Sequence, residues 1–156
     1  AQLQALCRQH GALFLVNDDP ALAADIDADG VHIGQSDGGI ARARRLLGPG
    51  KIIGVTCHSD LTLAEQAAAA GADYVAFGRF FPSRTKPQAP PADPAILARA
   101  RQRLTIPLVA IGGIDPDNGG QLLEQGASAL AVIHALFSDP APAQVKQAAK
   151  QLSALF

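Results

Sequence analysis

One repeated unit limits what this chain can fold into more than any other feature. Gly71-Ala72-Asp73-Tyr74-Val75-Ala76-Phe77 and Gly126-Ala127-Ser128-Ala129-Leu130-Ala131-Val132 share a pattern, and Asp27-Ala28-Asp29-Gly30-Val31-His32-Ile33 is a weaker copy. In each, an Ala-rich helix stops at or near a small residue, and a short apolar strand follows. Glycine at a helix end supplies the positive φ that terminates it. The strands are apolar on both faces, as strands of a helix-covered parallel sheet are.

Read on this basis, the chain starts with a helix over about 1–10 and a strand over 12–16. A short helix from Pro20 leads to a strand over 30–33, and residues 42–47 lie in the next helix. A strand over 52–56, a helix over 61–70 and a strand over 74–78 follow. After a long irregular segment come a helix over 94–103, a strand over 107–111, a helix over 116–125 and a strand over 129–133. A last helix runs from Pro140 to about Ala154. Asp115-Pro116 and Asp139-Pro140 each put a capping carboxylate before a proline at the first helical position.

Six strands alternating with helices imply right-handed βαβ units and a parallel sheet. A doubly wound sheet and a (β/α)8 barrel both fit that order, although a barrel needs eight strands and about 250 residues. No GxGxxG follows the first strand, which weighs against a dinucleotide-binding sheet. No linker-like stretch divides the chain, so residues 1–156 are expected to form a single domain.

Composition narrows the function classes. With 13 Lys and Arg against 14 Asp and Glu, no basic stripe is available for nucleic acid. No apolar run approaches the roughly 20 residues that span a bilayer, so no membrane partner is expected. Cys7 and Cys57 lack CxxC spacing, which argues against a disulfide scaffold or structural zinc and makes the reducing cytoplasm the expected setting. There is no methionine, even at position 1, so the sequence is expected to start partway through a longer protein.

In either parallel architecture the active site lies where the strands end. Asn17-Asp18-Asp19-Pro20 follows the first strand and Gly34-Gln35-Ser36-Asp37 the second. If these strands are neighbours, Asp18 and Asp37 share a rim, where two carboxylates about 4 Å apart repel by roughly 4 kcal/mol at an effective dielectric near 20. A hard divalent cation removes that cost, and Mg²⁺ on one or two carboxylates is the usual way to hold a diphosphate. Asn-Asp-Asp-Pro is equally a good helix start, so capping competes with metal binding here.

The fourth strand is followed by a 14-residue segment, 79–92, with three cations, two hydroxyls and four prolines. Loops of that length are usually functional or disordered. Lys86 and Thr85 offer a point charge and a hydroxyl to phosphate oxygens, against the plainer reading of a solvated basic loop. Gly112-Gly113 after the fifth strand and Ile133-His134-Ala135-Leu136-Phe137 after the sixth form the strongest signal. Glycines admit an anion close to the backbone, and a short helical turn points free N–H groups at it. Such a pair is a recurring phosphate site of barrels, while Gly-Gly as a simple turn is the alternative. Thr56-Cys57-His58 ends the third strand; Thr56 is placed to bond a heterocycle and Cys57 to pack. His32, inside a strand, reads as a satisfied core histidine rather than a base.

Taken in order, these residues resemble a family. Val16-Asn17-Asp18-Asp19, Gly30-Val31-His32-Ile33-Gly34-Gln35-x-Asp37, Gly54-Val55-Thr56-Cys57-His58, Gly71-Ala72-Asp73-Tyr74-Val75-Ala76-Phe77-Gly78, Pro82-Ser83-x-Thr85-Lys86 and Ala110-Ile111-Gly112-Gly113-Ile114 are similar to the thiamine-phosphate synthases. The resemblance implies a TIM (β/α)8 barrel, of which this chain supplies about six βα units. It implies a cytoplasmic transferase of thiamine biosynthesis that joins a pyrimidine diphosphate to a thiazole phosphate and releases pyrophosphate. In that mechanism the pyrimidine–oxygen bond ionises first and the thiazole nitrogen attacks the resulting cation, with no protein nucleophile. The implied Mg²⁺ ligands are Asp18 and Asp37. Asn17, Thr56 and Lys86 would contact the pyrimidine diphosphate, with Lys86 and Thr56 at the reacting centre. Ser83, Thr85, Gly113, Ile133 and His134 would hold the thiazole phosphate.

The sequence departs from the family at three places. A Gln-x-Arg-x-Lys stretch that grips the diphosphate is absent, and a preceding segment on the order of 50 residues is expected to carry it, completing the eight-strand count. His134 stands where Ser is common, and Arg79 and Ser83 replace a usual Pro and Thr. Two other functions fit the same scaffold: a thiazole tautomerase-like isomerase and a non-catalytic phosphate-binding barrel domain. Retention of Asp18, Asp37 and Lys86 argues against the isomerase.

Overall fold

Each repeat is a helix terminus joined to a lock on the preceding strand. A computed structural model describes residues 2–85 and 87–156. Its strands are β1 (Leu15–Asn17), β2 (Gly30–Ile33), β3 (Ile52–Thr56), β4 (Tyr74–Phe77), β5 (Leu108–Ile111) and β6 (Ala129–Ala131). The helices are α1 (Gln2–Gln9), α2 (Pro20–Asp25), α3 (Gly39–Leu47), α4 (Leu61–Ala69), α5 (Ala95–Arg101), α6 (Gly119–Glu124), α7 (His134–Phe137) and α8 (Pro142–Ser153). The strands follow one another in chain order in one sheet, β1-β2-β3-β4-β5-β6. Leu15 pairs in parallel with Gly30, Gly30 with Ile52, and Val109 with Ala129. Backbone contacts group the chain into two compact units, residues 1–57 with 62–75 and residues 58–61 with 76–156.

At the first position of the repeat φ is positive: Gly71 at 92°, Gly126 at 110° and, in the weaker copy, Asp27 at 53°. Glycine takes this conformation freely; aspartate is among the few side chains that tolerate it. At the second position the N–H of Ala28, Ala72 and Ala127 reaches back to the carbonyl of Ala23, Ala67 and Leu122 at 2.9–3.0 Å. This closes the Schellman terminus and satisfies carbonyls that the helix leaves unpaired. Ala28 and Ala72 are 0% and 5% exposed, so a larger side chain there has no room.

The third position ties one strand to the one before it. The N–H of Asp73 donates to the Ile53 carbonyl at 2.8 Å, and the Asp73 carboxylate accepts from the Ile53 N–H, also at 2.8 Å. Asp29 makes the same reciprocal pair with Phe14, at 3.0 and 2.8 Å, and Ser128 with Leu108, at 2.7 and 3.2 Å. A buried backbone N–H without a partner costs about 1–3 kcal/mol, so each lock favours one register. Between the locks, Val31, Ile53, Val75, Phe77 and Leu108 are fully buried and form the apolar cores.

Boundaries differ from expectation by one to three residues at several element ends, β6 stopping at Ala131 and α5 at Arg101, and three of the differences have a visible cause. The first strand starts at Leu15 because Ala12 is still part of a helix terminus: Gly11 has φ 65° and the Ala12 N–H bonds the Cys7 carbonyl. Asp115 caps as expected, accepting from the N–H groups of Asp117 and Asn118 at 3.0 Å, but that turn is loose and regular α6 starts at Gly119. Asp139 likewise accepts from Ala141, and α8 starts at Pro142. The short turn expected over 133–137 is α7.

Asp73→Ala should lower unfolding stability by about 1–3 kcal/mol, because the Ile53 N–H loses its acceptor. Ser128→Ala, with its longer bond, should cost about 1 kcal/mol or less. Urea unfolding followed by circular dichroism measures both, and the order of the two losses is the check.

Candidate functional site

In the first unit, the Asn-Asp-Asp-Pro run divides its work between its two aspartates. Asp19 is the helix cap: its Oδ1 accepts from the N–H groups of Ala21 and Leu22, both at 3.0 Å, with Pro20 at the first helical position. Capping therefore does not consume Asp18. The Asp18 backbone N–H donates to the His32 carbonyl at 2.8 Å and its φ is 67°, an unusual value for a residue with a side chain. Its carboxylate is exposed and has no hydrogen bond or ion pair among the described residues. Asn17 is exposed at the end of β1, and its register partner is His32.

Asp37 closes the turn after β2, the strand next to β1. Its Oδ2 accepts from the Gly34 N–H at 2.7 Å and its Oδ1 from the Ser36 hydroxyl at 3.3 Å. One oxygen is thus firmly committed and the other only loosely. No group of three or more His, Cys, Asp or Glu side chains that could cage a metal occurs among the described residues. Two carboxylates, one wholly uncommitted, suit a hard cation that keeps several waters and takes phosphate oxygens as ligands. They do not suit a transition metal that needs nitrogen or sulfur.

Thr56 ends β3, where its hydroxyl meets a group that the sequence reading took for core packing. His32 Nε2 lies 2.7 Å from Thr56 Oγ1, and His32 Nδ1 lies 2.8 Å from the Tyr74 hydroxyl. The imidazole and phenol rings stack with centroids 5.5 Å apart. Both ring nitrogens are engaged, so His32 is satisfied, as expected. Tyr74, which organises this group, has no local signature as a site residue. The signal was in the register: His32 pairs with Gly54, and a Cβ on Gly54 would lie 1.9 Å from Tyr74 Cζ. A glycine in an otherwise apolar strand marks a close approach. Burial pushes the Tyr74 hydroxyl up to about 12. Cys57 is fully buried, as a packing residue would be.

In the second unit, Arg79 ties together the described residues on either side of position 86 in the long loop. Its Nε donates to the Ala89 carbonyl at 2.7 Å, and its two Nη groups donate to Phe81 and Pro87 at 3.3 Å. One guanidinium thus bridges both arms of the loop that carries Ser83 and Thr85. Neither hydroxyl has a hydrogen bond among the described residues, and Thr85 is exposed. Lys86, singled out in the sequence, lies outside the described residues.

The glycine pair does more than turn the chain. Phe80 and Phe81 donate to the carbonyls of Ile111 and Gly112 at 3.3 and 3.0 Å. A Cβ on Gly112 would lie 2.3 Å from Arg79 Cβ, and one on Gly113 2.5 Å from the Pro82 carbonyl oxygen. Both positions need glycine because the loop lies against them, a requirement that exists before any anion arrives. Ile133 is 57% exposed and His134 is exposed, at the start of α7, where the first N–H groups of a helix have no intrahelical partner.

Residues 1–136 match the sequence pattern of thiamine monophosphate synthase. The chain belongs to that family. Thiamine-phosphate synthase of Alcanivorax borkumensis is 63% identical over all 156 residues, which span 72% of its length. The enzyme of Thiobacillus denitrificans is 51% identical over the same residues and the same share. Among solved structures, thiamine phosphate pyrophosphorylase from Pyrococcus furiosus is 35% identical and superposes with a TM-score of 0.87, over 98% of this chain and 71% of that one. The fold is thus of the α/β TIM-barrel type, with six βα units in this chain, and the thiamine-phosphate synthase family is one of transferases. No helix among the described residues is long and apolar enough to cross a membrane.

Two outcomes follow for this family member. The chain has one tyrosine and no tryptophan, so absorbance titration reads Tyr74 alone. Phenolate should appear near pH 12 rather than 10. Because the folded-state value is raised, the attached stability is complete below pH 10 and is lost as pH climbs toward 12. Arg79→Ala should speed amide exchange at Phe81, Gln88 and Ala89 by about tenfold or more, since charge-assisted bonds contribute roughly 1.5–3 kcal/mol each. Exchange at Ile53 and Leu108 should stay unchanged.

Proposed function

We propose that this chain carries the substrate-holding machinery of a Mg²⁺-dependent transferase. It would move a 4-amino-2-methylpyrimidinylmethyl group from its diphosphate to a thiazole phosphate, giving thiamine phosphate and pyrophosphate. The observation that carries the reading is the uncommitted Asp18 carboxylate, held at the end of β1 while its neighbour Asp19 does the capping. Asp18 and Asp37 would hold Mg²⁺, which supplies charge neutralisation for the diphosphate.

The chemistry asks for electrostatics and placement rather than a protein nucleophile. The carbon–oxygen bond to the diphosphate breaks, the electron pair leaves with pyrophosphate, and the thiazole nitrogen closes on the exposed carbon. Asn17 and Lys86 would bind diphosphate oxygens, and Thr56 would face the pyrimidine. Ser83 and Thr85 would donate hydroxyls to the thiazole phosphate, with backbone N–H groups at Gly113, Ile133 and His134. At that phosphate a backbone donor makes the His134-for-Ser exchange tolerable. The cytoplasm is the setting that fits these small, charged substrates.

Asp18→Ala and Lys86→Ala should each lower pyrophosphate release by about a hundredfold or more while thermal unfolding stays near wild type. Asp19→Ala should do the reverse, costing about 1 kcal/mol of stability as a lost cap and keeping most turnover. Wild-type rates in both Asp18→Ala and Lys86→Ala would remove these assignments.

A further inference from the structure

Tyr74, His32 and Thr56 form a chain of hydroxyl, imidazole and hydroxyl across three strands of the first unit. A neutral imidazole has one N–H and one lone pair, so the chain can point in only two directions. In one, the Tyr74 hydroxyl donates to Nδ1, and Nε2–H donates to Thr56 Oγ1. In the other, Thr56 donates to Nε2, and Nδ1–H donates to Tyr74.

Two arguments favour the first direction. A phenol is a stronger hydrogen-bond donor than an aliphatic alcohol, so Tyr74 outcompetes Thr56 for the imidazole lone pair. Nδ1 is the Tyr74 hydroxyl's only partner among the described residues. If the chain pointed the other way, the phenolic proton of this half-buried residue would be left without an acceptor among the described residues, which disfavours that direction. Gly54 removes the one side chain that would block Tyr74 from reaching His32, so the strand below is shaped for this contact.

The first direction has a consequence at the far end. Thr56 accepts from His32, and its own proton has no acceptor among the described residues. Gln35 fixes the same residue from another side, its Nε2 donating to the Thr56 carbonyl at 2.6 Å. We propose that Tyr74 and His32 are positioning residues that hold the Thr56 hydroxyl as a donor aimed at a lone pair on the heteroaromatic substrate. The inference rests on Thr56 facing the pyrimidine, as proposed above. It adds that a ring nitrogen, and not a donor group, meets that hydroxyl.

Tyr74→Phe tests this, since it keeps the stacked ring and removes only the hydroxyl. In the full-length protein the KM for the pyrimidine diphosphate should rise about tenfold, a loss of one hydrogen bond. The KM for thiazole phosphate should not move. Thr56→Ala should lose at least as much, and the Tyr74→Phe/Thr56→Ala double variant should be no worse than Thr56→Ala alone. Multiplicative losses in the double variant would overturn the relay. Nitrogen-15 NMR of the His32 ring is independent of turnover: the wild type should show protonated Nε2 and bare Nδ1, and Tyr74→Phe a mixture. Protonated Nδ1 with bare Nε2 in the wild type would overturn the proposal outright. If the full-length wild type failed to join the two substrates, the substrate reading would fall, and the ring-nitrogen pattern would still decide the relay.

Discussion

A side chain placed just before a strand, bonded back to the strand that precedes it, sets the geometry on which everything else here depends. Parallel strands joined by helices have no tight turn to fix their register, and a slip would carry every inward side chain to the other face. Asp29, Asp73 and Ser128 resolve this by offering an acceptor where the ladder has not yet begun. With register fixed at the N-terminal ends, the C-terminal ends follow. Asn17 is held level with His32, and His32 with Gly54.

The two units arrange polar groups in different ways. In the first, carboxylates and hydroxyls sit on strand ends and short turns, where backbone bonds hold them: the Asp18 N–H on the His32 carbonyl, the Gly34 N–H on Asp37. In the second, a long loop carries the hydroxyls, and its order comes from one arginine bonded to three carbonyls. The first arrangement is held at several separate points along the backbone. The second concentrates three of its bonds in a single side chain, Arg79.

Much of this could be read in the sequence, and the gaps have physical causes. Helix and strand order was readable because small-residue termini and doubly apolar strands are local signals. Boundaries slipped where capping preceded regular helix, as at Asp115 and Asp139, because a carboxylate can order a turn that the helical ladder does not yet include. Among the site candidates, the split between Asp18 and Asp19 could not be read, since either can cap a helix beginning at Pro20. Tyr74 escaped because its role is made of register: only when β2, β3 and β4 lie side by side does the missing side chain at Gly54 become space for a phenol. The glycine pair at 112–113 reads in sequence as an anion site, whereas its demand for glycine comes from positive φ at both residues and from the loop lying on it.

Gly54 and Tyr74 also constrain how such a sequence can change. An alanine at 54 displaces the phenol while Tyr74 remains, and a small residue at 74 leaves an empty space beside the imidazole while Gly54 remains. Either single step passes through a damaged intermediate. Exchange of the aromatic for another arrangement is therefore accessible only when both positions move together, and libraries that vary one site at a time will recover only ring-preserving changes such as Tyr74→Phe here.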